Sequence, residues 1–110
     1  MKLPNYEQAF LPREKIADYL LSDSHPRGRT KAAFFKRFGF TQENWQLLAK
    51  ALTEHAANYD AVLVDPTEFG LCYDIYDELT TPSGRTPTIL SAWVFDTGSE
   101  TPRFISAFPR

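Results

Sequence analysis

The hydrophobic pattern of this chain changes its period near Asn58. Up to that point apolar residues recur every three or four positions, and beyond it they alternate with polar ones. Helical periodicity followed by strand periodicity, with no interleaving, is the order of an α+β fold in which helices cover one face of an antiparallel sheet. The expectation is therefore three N-terminal helices followed by a four-stranded, mainly antiparallel sheet. The helical half, 1–58, and the sheet half, 59–110, together make 110 residues, the common size of a single domain. A hydrophobic content of 43% is enough to bury a core shared by both halves.

Local signals place the elements. Ile16, Tyr19 and Leu20 form the stripe of a first helix from Pro12 to Ser22, which the run Asp23-Ser24-His25-Pro26-Arg27-Gly28 breaks. Thr30 is expected to cap a short second helix, Lys31 to Phe38, with Gly39 ending it in the left-handed conformation. Thr41 is expected to cap a third helix, in which Phe40 and Trp45 staple the entry and Leu48, Ala49 and Leu52 continue the stripe. Strands follow at Ala61–Val64, around Leu71–Leu79, at Thr86–Phe95 and at Arg103–Phe108, with turns at Asp65-Pro66, Thr81–Gly84 and Asp96–Ser99. Their short connections imply antiparallel neighbours.

Charge is distributed unevenly. Residues 1–50 hold nine Lys/Arg against five Asp/Glu, and residues 51–110 hold three against nine. His25 to Arg37 contains five basic residues and no acid, so a local positive patch sits inside a chain of net charge −2. That patch is either a binding surface or a solvated helix face. No apolar stretch is long enough to span a bilayer, and the N-terminus lacks the apolar core of a signal peptide. Cys72 is the sole cysteine and can form no internal disulfide, which suits a cytoplasmic protein. Two histidines and one cysteine give no zinc spacing, and no cofactor motif is present.

Lys31 is the most informative single residue, because Phe34, Phe35 and Phe38 lie on its helical face and it heads their apolar stripe. Its charge there opposes the positive end of the helix dipole, a departure of the kind found at functional sites. The alternative is snorkelling, with a packed stem and an ammonium in water. The helix start beyond Gly28, with Arg27, Arg29 and Lys31, is a candidate anion site, although no P-loop is present. His25 in the preceding loop is a candidate general base or acid. Arg85 and Arg103 stand at strand starts, where each can reach an anion or a surface carboxylate. His55 is expected to interact with the C-terminus of the third helix, Trp93 to lie in the core, and Ser91 to lack a nucleophile setting. Asp74 and Glu78 share a strand face with Tyr76 between them, which makes a weak carboxylate pair.

Leu3-Pro4-Asn5, His25-Pro26-x-Gly28-x-x-Lys31, Phe38-Gly39-Phe40-Thr41, Gly84-Arg85-Thr86, Ser91-Ala92-Trp93 and Pro102-Arg103-Phe104, in that order, resemble a bacterial family of small domains of unknown function. Members of that family are also similar to C-terminal modules of polymorphic toxins. At the level of fold, the order of elements resembles metal-independent ribonucleases of the barnase, EndoU, colicin and RelE type. The resemblance implies a nucleic-acid-directed domain with RNA as partner. His25 would be base or acid, Lys31 and Arg85 would act on the phosphate, and Arg27, Gly28, Arg29 and Arg103 would bind the anion. The competing expectation is a non-catalytic module that binds a protein partner or neutralises a toxin.

Overall fold

The computed structural model describes residues 1–64, 66, 68 and 70–110. Its first half holds three short helical segments. After a 3-10 turn at Tyr6–Gln8 the chain enters α1, Arg13–Lys15, which passes directly into a π-helical turn, Ile16–Leu20. The expected first helix is thus one short α turn opened into a wider one, closed by the Leu21 amide on the Ile16 carbonyl at 3.0 Å. Ile16 and Leu20 are buried as their spacing suggests, and Tyr19 is half-buried.

Helix α2 spans Arg29–Arg37 and α3 spans Trp45–Asn58. Both begin away from their expected caps. The residue at the start of α2 is Gly28 rather than Thr30: the His25 carbonyl takes the first helical amide, that of Arg29, while its ring accepts the Arg27 and Gly28 amides ahead of the helix. Thr41 belongs to a turn ahead of α3. There its amide donates to Asn44 Oδ1 at 2.6 Å and its hydroxyl accepts from the Asn44 amide at 3.2 Å. This is the reciprocal logic of a capping box, placed one turn early. Gly39 ends α2 at φ 101°, the left-handed conformation that a glycine adopts without steric cost.

Strands β1, Val62–Leu63, β2, Gly70–Glu78, β3, Thr88–Asp96, and β4, Arg103–Pro109, pair in chain order, each antiparallel to the next. Asp65, half of an expected turn, lies outside the described residues. One core joins the sheet to the helices: Ile75, Leu79, Ile89, Trp93 and Phe104 meet Leu48 and Leu52 of α3, Phe35 of α2, and Ile16 and Leu20. Burying side chains of this size contributes on the order of 2 kcal/mol each before conformational entropy is subtracted.

The face of the sheet turned away from α3 follows from the register. Tyr76, Leu90 and Phe108 lie opposite one another in one row across β2, β3 and β4. Asp74, Ala92 and Ser106 form the next row. Strict alternation along β4 would put Phe104, Ser106 and Phe108 on one face. An irregularity at Ala92/Trp93 pairs Trp93 with Phe104 but Ala92 with Ser106, which leaves Ile105 as the extra residue. The bulge turns Ser106 and Phe108 to the open face and sends Ala107 into the core.

Candidate functional site

The chain reverses sharply between the π turn and α2, and it does so through His25 and Gly28. The Gly28 and Arg29 amides donate to the His25 carbonyl at 3.1 and 3.0 Å. The Arg27 and Gly28 amides also donate to His25 Nδ1, at 3.1 and 3.2 Å. An Nδ1 that accepts two amide hydrogens leaves the ring hydrogen of neutral His25 on Nε2, so the outer edge of the imidazole presents a donor. Gly28 is required for closeness rather than for unusual dihedrals. A Cβ there would lie 2.1 Å from the Tyr19 carbonyl oxygen, while its φ of −91° is ordinary.

That reversal brings Tyr19, His25 and Lys31 together at the β4 side of the sheet. They line a cleft of about 420 Å³ with Lys15, Arg27, Ser106 and Phe108. Lys31 Nζ donates to the Tyr19 hydroxyl at 2.7 Å and to Ser106 Oγ at 3.1 Å. It also stands 4.0 Å from the centroid of the Phe108 ring and 4.8 Å from that of Tyr19. The Tyr19 ring meets His25 edge-on at 4.8 Å. Lys31 forms no ion pair among the described residues, and no carboxylate lines this cleft. Glu14 and Asp18 line an adjoining depression, which shares Lys15, Tyr19 and His25 with it. Between the two expected fates of Lys31, the geometry is that of an ammonium held inside a cleft. Two hydroxyls and two rings hold the charge without neutralising it, so it keeps its attraction for an anion.

The other candidates are dispersed. Arg27 is on the rim of the cleft, and Arg29 is exposed on the first turn of α2. Arg85 is exposed in the turn between β2 and β3, where its carbonyl accepts the Thr81 hydroxyl at 2.6 Å, and it does not line the cleft. Arg103, at the opposite end of β4 from Phe108, grips Asp96 through Nε and Nη2, both at 2.9 Å. That pairing holds the Asp96 carboxyl below its ordinary range and raises the guanidinium still further. A second groove of about 250 Å³, between α3 and Thr80–Pro82, is mainly apolar. Among the described residues no group of three or more His, Cys, Asp or Glu is arranged to hold a metal ion.

A different polar cluster lies under the sheet. His55 does not serve the end of α3 as a cation. Its Nε2 lies 3.0 Å from the Asp77 carbonyl oxygen and its Nδ1 lies 2.9 Å from Ser91 Oγ. A carbonyl only accepts, so Nε2 carries the hydrogen and Nδ1 accepts from Ser91. Ser91 in turn accepts from Trp93 Nε1 at 2.9 Å. Burial pushes the His55 pKa down, against the opposing pull of Asp77, which fits a neutral ring. All three side chains are buried, so this serine–histidine contact is a closed structural network without access for a substrate.

Sequence reasoning missed Tyr19, Ser106 and Phe108 as partners of Lys31. Tyr19 had a signal, since it is a polar-tipped member of an apolar stripe twelve residues before Lys31. Ser106 and Phe108 had none, because a bulge sets which way they face. Asp74 also lies on the open face, where burial pushes its carboxyl up while Arg110 draws it down.

An α+β fold with three helical segments on one side of a four-stranded antiparallel meander, and a basic cleft at the β4 side, defines the class. The chain belongs to the family described as a domain of unknown function (DUF6883), whose model matches residues 2–110. No curated protein matches the chain. Among solved structures, a chain of a contact-dependent growth inhibition toxin–immunity protein complex from Klebsiella pneumoniae 342 is similar, with a TM-score of 0.71 and 20% identity. The match covers 91% of this chain and 98% of that one. At that identity the likeness is one of fold. No helix among the described residues is long and apolar enough to cross a membrane.

Proposed function

We propose that this chain is a toxin-related module directed at RNA, and that Lys31 is the centre of its phosphate site. The observation that carries the reading is the Lys31 ammonium, held by Tyr19 and Ser106 in a cleft lined by further cations and by no carboxylate. A phosphodiester entering the cleft would meet Lys31, Arg27 and Lys15 on its oxygens and the His25 Nε2 hydrogen beside them. In a metal-independent ribonuclease, the 2′-hydroxyl attacks the adjacent phosphorus as its proton passes to a base, here water, a 2′,3′-cyclic phosphate forms, and the 5′-oxygen leaves with a proton returned by water. The cations suit the charge that builds on the phosphorane, and the Nε2 hydrogen of His25, whose Nδ1 is held as an acceptor by two amides, suits a hydrogen bond to a phosphate oxygen rather than transfer of its proton. Arg85 and Arg103 have no part in this reading.

A second reading has its own support. The similar solved chain comes from a toxin–immunity complex, and the β1 edge exposes Val62, Leu63 and Val64 side by side, the kind of edge that a partner protein covers. On that reading the chain is a protein-interaction or toxin-neutralising module and the cleft is incidental. Incubation of the purified protein with labelled RNA in EDTA separates the two. Cleavage by the wild type that is lost in Lys31→Ala supports the ribonuclease, and RNA binding without cleavage, weakening with salt, supports a binding module. A wild type that neither cleaves nor binds RNA at high protein concentration overturns the first reading and leaves the second.

A further inference from the structure

We infer that the open face of the sheet beside the cleft is a stacking platform for the bases of single-stranded RNA, with Tyr76 and Phe108 as its anchors. This rests on the reading of Lys31 as a phosphate site. Tyr76, Leu90 and Phe108 form one cross-strand row, in which Tyr76 is strongly exposed at 60% and Phe108 partly so at 38%. Side chains in such a row stand out from the sheet, so the two rings are two strand spacings apart, roughly 10 Å. Neither ring is part of the core cluster or packed against it, so the hydrophobic core does not explain them.

Three features favour nucleic acid over a protein partner for this face. First, the cleft and the row are continuous, because the Lys31 ammonium lies 4.0 Å from the Phe108 centroid. Second, the row is flanked by hydrogen-bonding groups that can meet the polar edges of bases, Asp74 and Ser106 in the row that Val62 and Ala92 complete, and Glu78 and Thr88 in the next. Third, cations lie along the face: Lys31 meets Ser106 and Phe108 of β4, and Arg110 lies near enough to Asp74 of β2 to draw its carboxyl down. A strand whose phosphates follow the β4 side would lay its bases over Phe108 and Tyr76, with their amino groups toward the β2 carboxylates.

The test is fluorescence anisotropy with a labelled 2′-O-methyl oligoadenosine, which resists cleavage, competed by an abasic strand of equal length. Tyr76→Ala and Phe108→Ala are each expected to weaken binding roughly 5- to 150-fold, and Tyr76→Ala, which lies outside the cleft, to leave the salt dependence of affinity unchanged. Lys31→Ala is expected to weaken binding and also to reduce that dependence. Tyr76→Leu and Phe108→Leu, which keep bulk but remove the π face, should behave as the alanine variants do. They also separate stacking from any loss of fold, which thermal melts monitor. Wild-type affinity in Tyr76→Ala and Phe108→Leu, or equal binding of the abasic strand, would overturn the platform while the Lys31 cleft still stands. Failure of the wild type to bind any strand would overturn both, and the face would then be assigned to a protein.

Discussion

Two serines on neighbouring strands sit in opposite kinds of polar cluster. Ser91 on β3 is enclosed with His55 and Trp93, and each polar atom of that cluster has its partner inside the protein. Ser106 on β4 receives the ammonium of Lys31 at an open cleft, where the charge has hydroxyls and rings around it and, among the described residues, no counter-ion. A histidine hydrogen-bonded to a serine has the outward form of a catalytic pair, yet that pair is sealed in the core, whereas the half-buried Lys31 lines an open cleft over a Ser106 that is itself buried. Access and unmet charge distinguish a site from a brace better than residue type does. A buried network that satisfies itself fixes one packing of the core, and a cation left without a carboxylate retains its attraction for a ligand.

That contrast can be broken from either side. His55→Ala should be the costliest change, about 3 kcal/mol in urea denaturation, because it leaves a cavity and strips partners from Ser91 and the Asp77 carbonyl. A loss well under 1 kcal/mol would mean that the closed cluster braces nothing. Gly28→Ala should cost about 2 kcal/mol, since its new Cβ would collide with the Tyr19 carbonyl, and the displaced turn should weaken RNA binding in parallel. Lys31→Met should reverse that pattern, with a nearly unchanged melting temperature and RNA affinity reduced about tenfold, equivalent to about 1.4 kcal/mol. Unfolding of Lys31→Met would show the ammonium to be part of the scaffold.

Smaller effects sharpen the same comparison. The folded-state pKa of His55 lies below its ordinary value of 6.5, so the unfolded chain takes up the proton first. The contribution of His55 to stability is accordingly present above pH 6.5 and is lost as pH falls below it. Thermal melts should decline through that window, and the decline should flatten in His55→Gln, which can keep both hydrogen bonds but does not titrate. Arg103→Ala should have the least effect on RNA affinity, because its guanidinium already belongs to Asp96. A drop comparable to that of Lys31→Met would place the phosphate track at the far end of β4.

Much of the architecture was legible from residue order. The change of period at Asn58 separates α3 from the strands, Gly39 closes α2, and the alternation through Ile75 and Leu79 marks the buried face of β2. Helix starts were displaced: Thr30 and Thr41 are good caps by type, but the turn through His25 opens α2 at Gly28, and the Thr41–Asn44 exchange places Thr41 in a turn ahead of α3. Of the basic segment from His25 to Arg37, His25, Arg27 and Lys31 line one cleft, and Lys31 stands out in the sequence by its place on an apolar stripe. Grouping Arg85 and Arg103 with it did not survive folding, since charge in a sequence carries no information about which carboxylate a side chain will meet.

What the sequence determined by itself was the set of local preferences: where helices end, where strands alternate, and which short segment concentrates positive charge. Tertiary structure alone decided that Tyr19 and Ser106 hold Lys31, that His55 faces Ser91, and that Phe108 joins Tyr76 on the open face. The reason is physical. Local preferences depend on neighbours within about one helical turn, whereas these contacts depend on a close approach at Gly28, on the seating of α3 against β3 and on the extra residue at Ile105. One added residue in a strand reverses the face of everything after it, and no periodicity in the sequence announces where the packed sheet will place it.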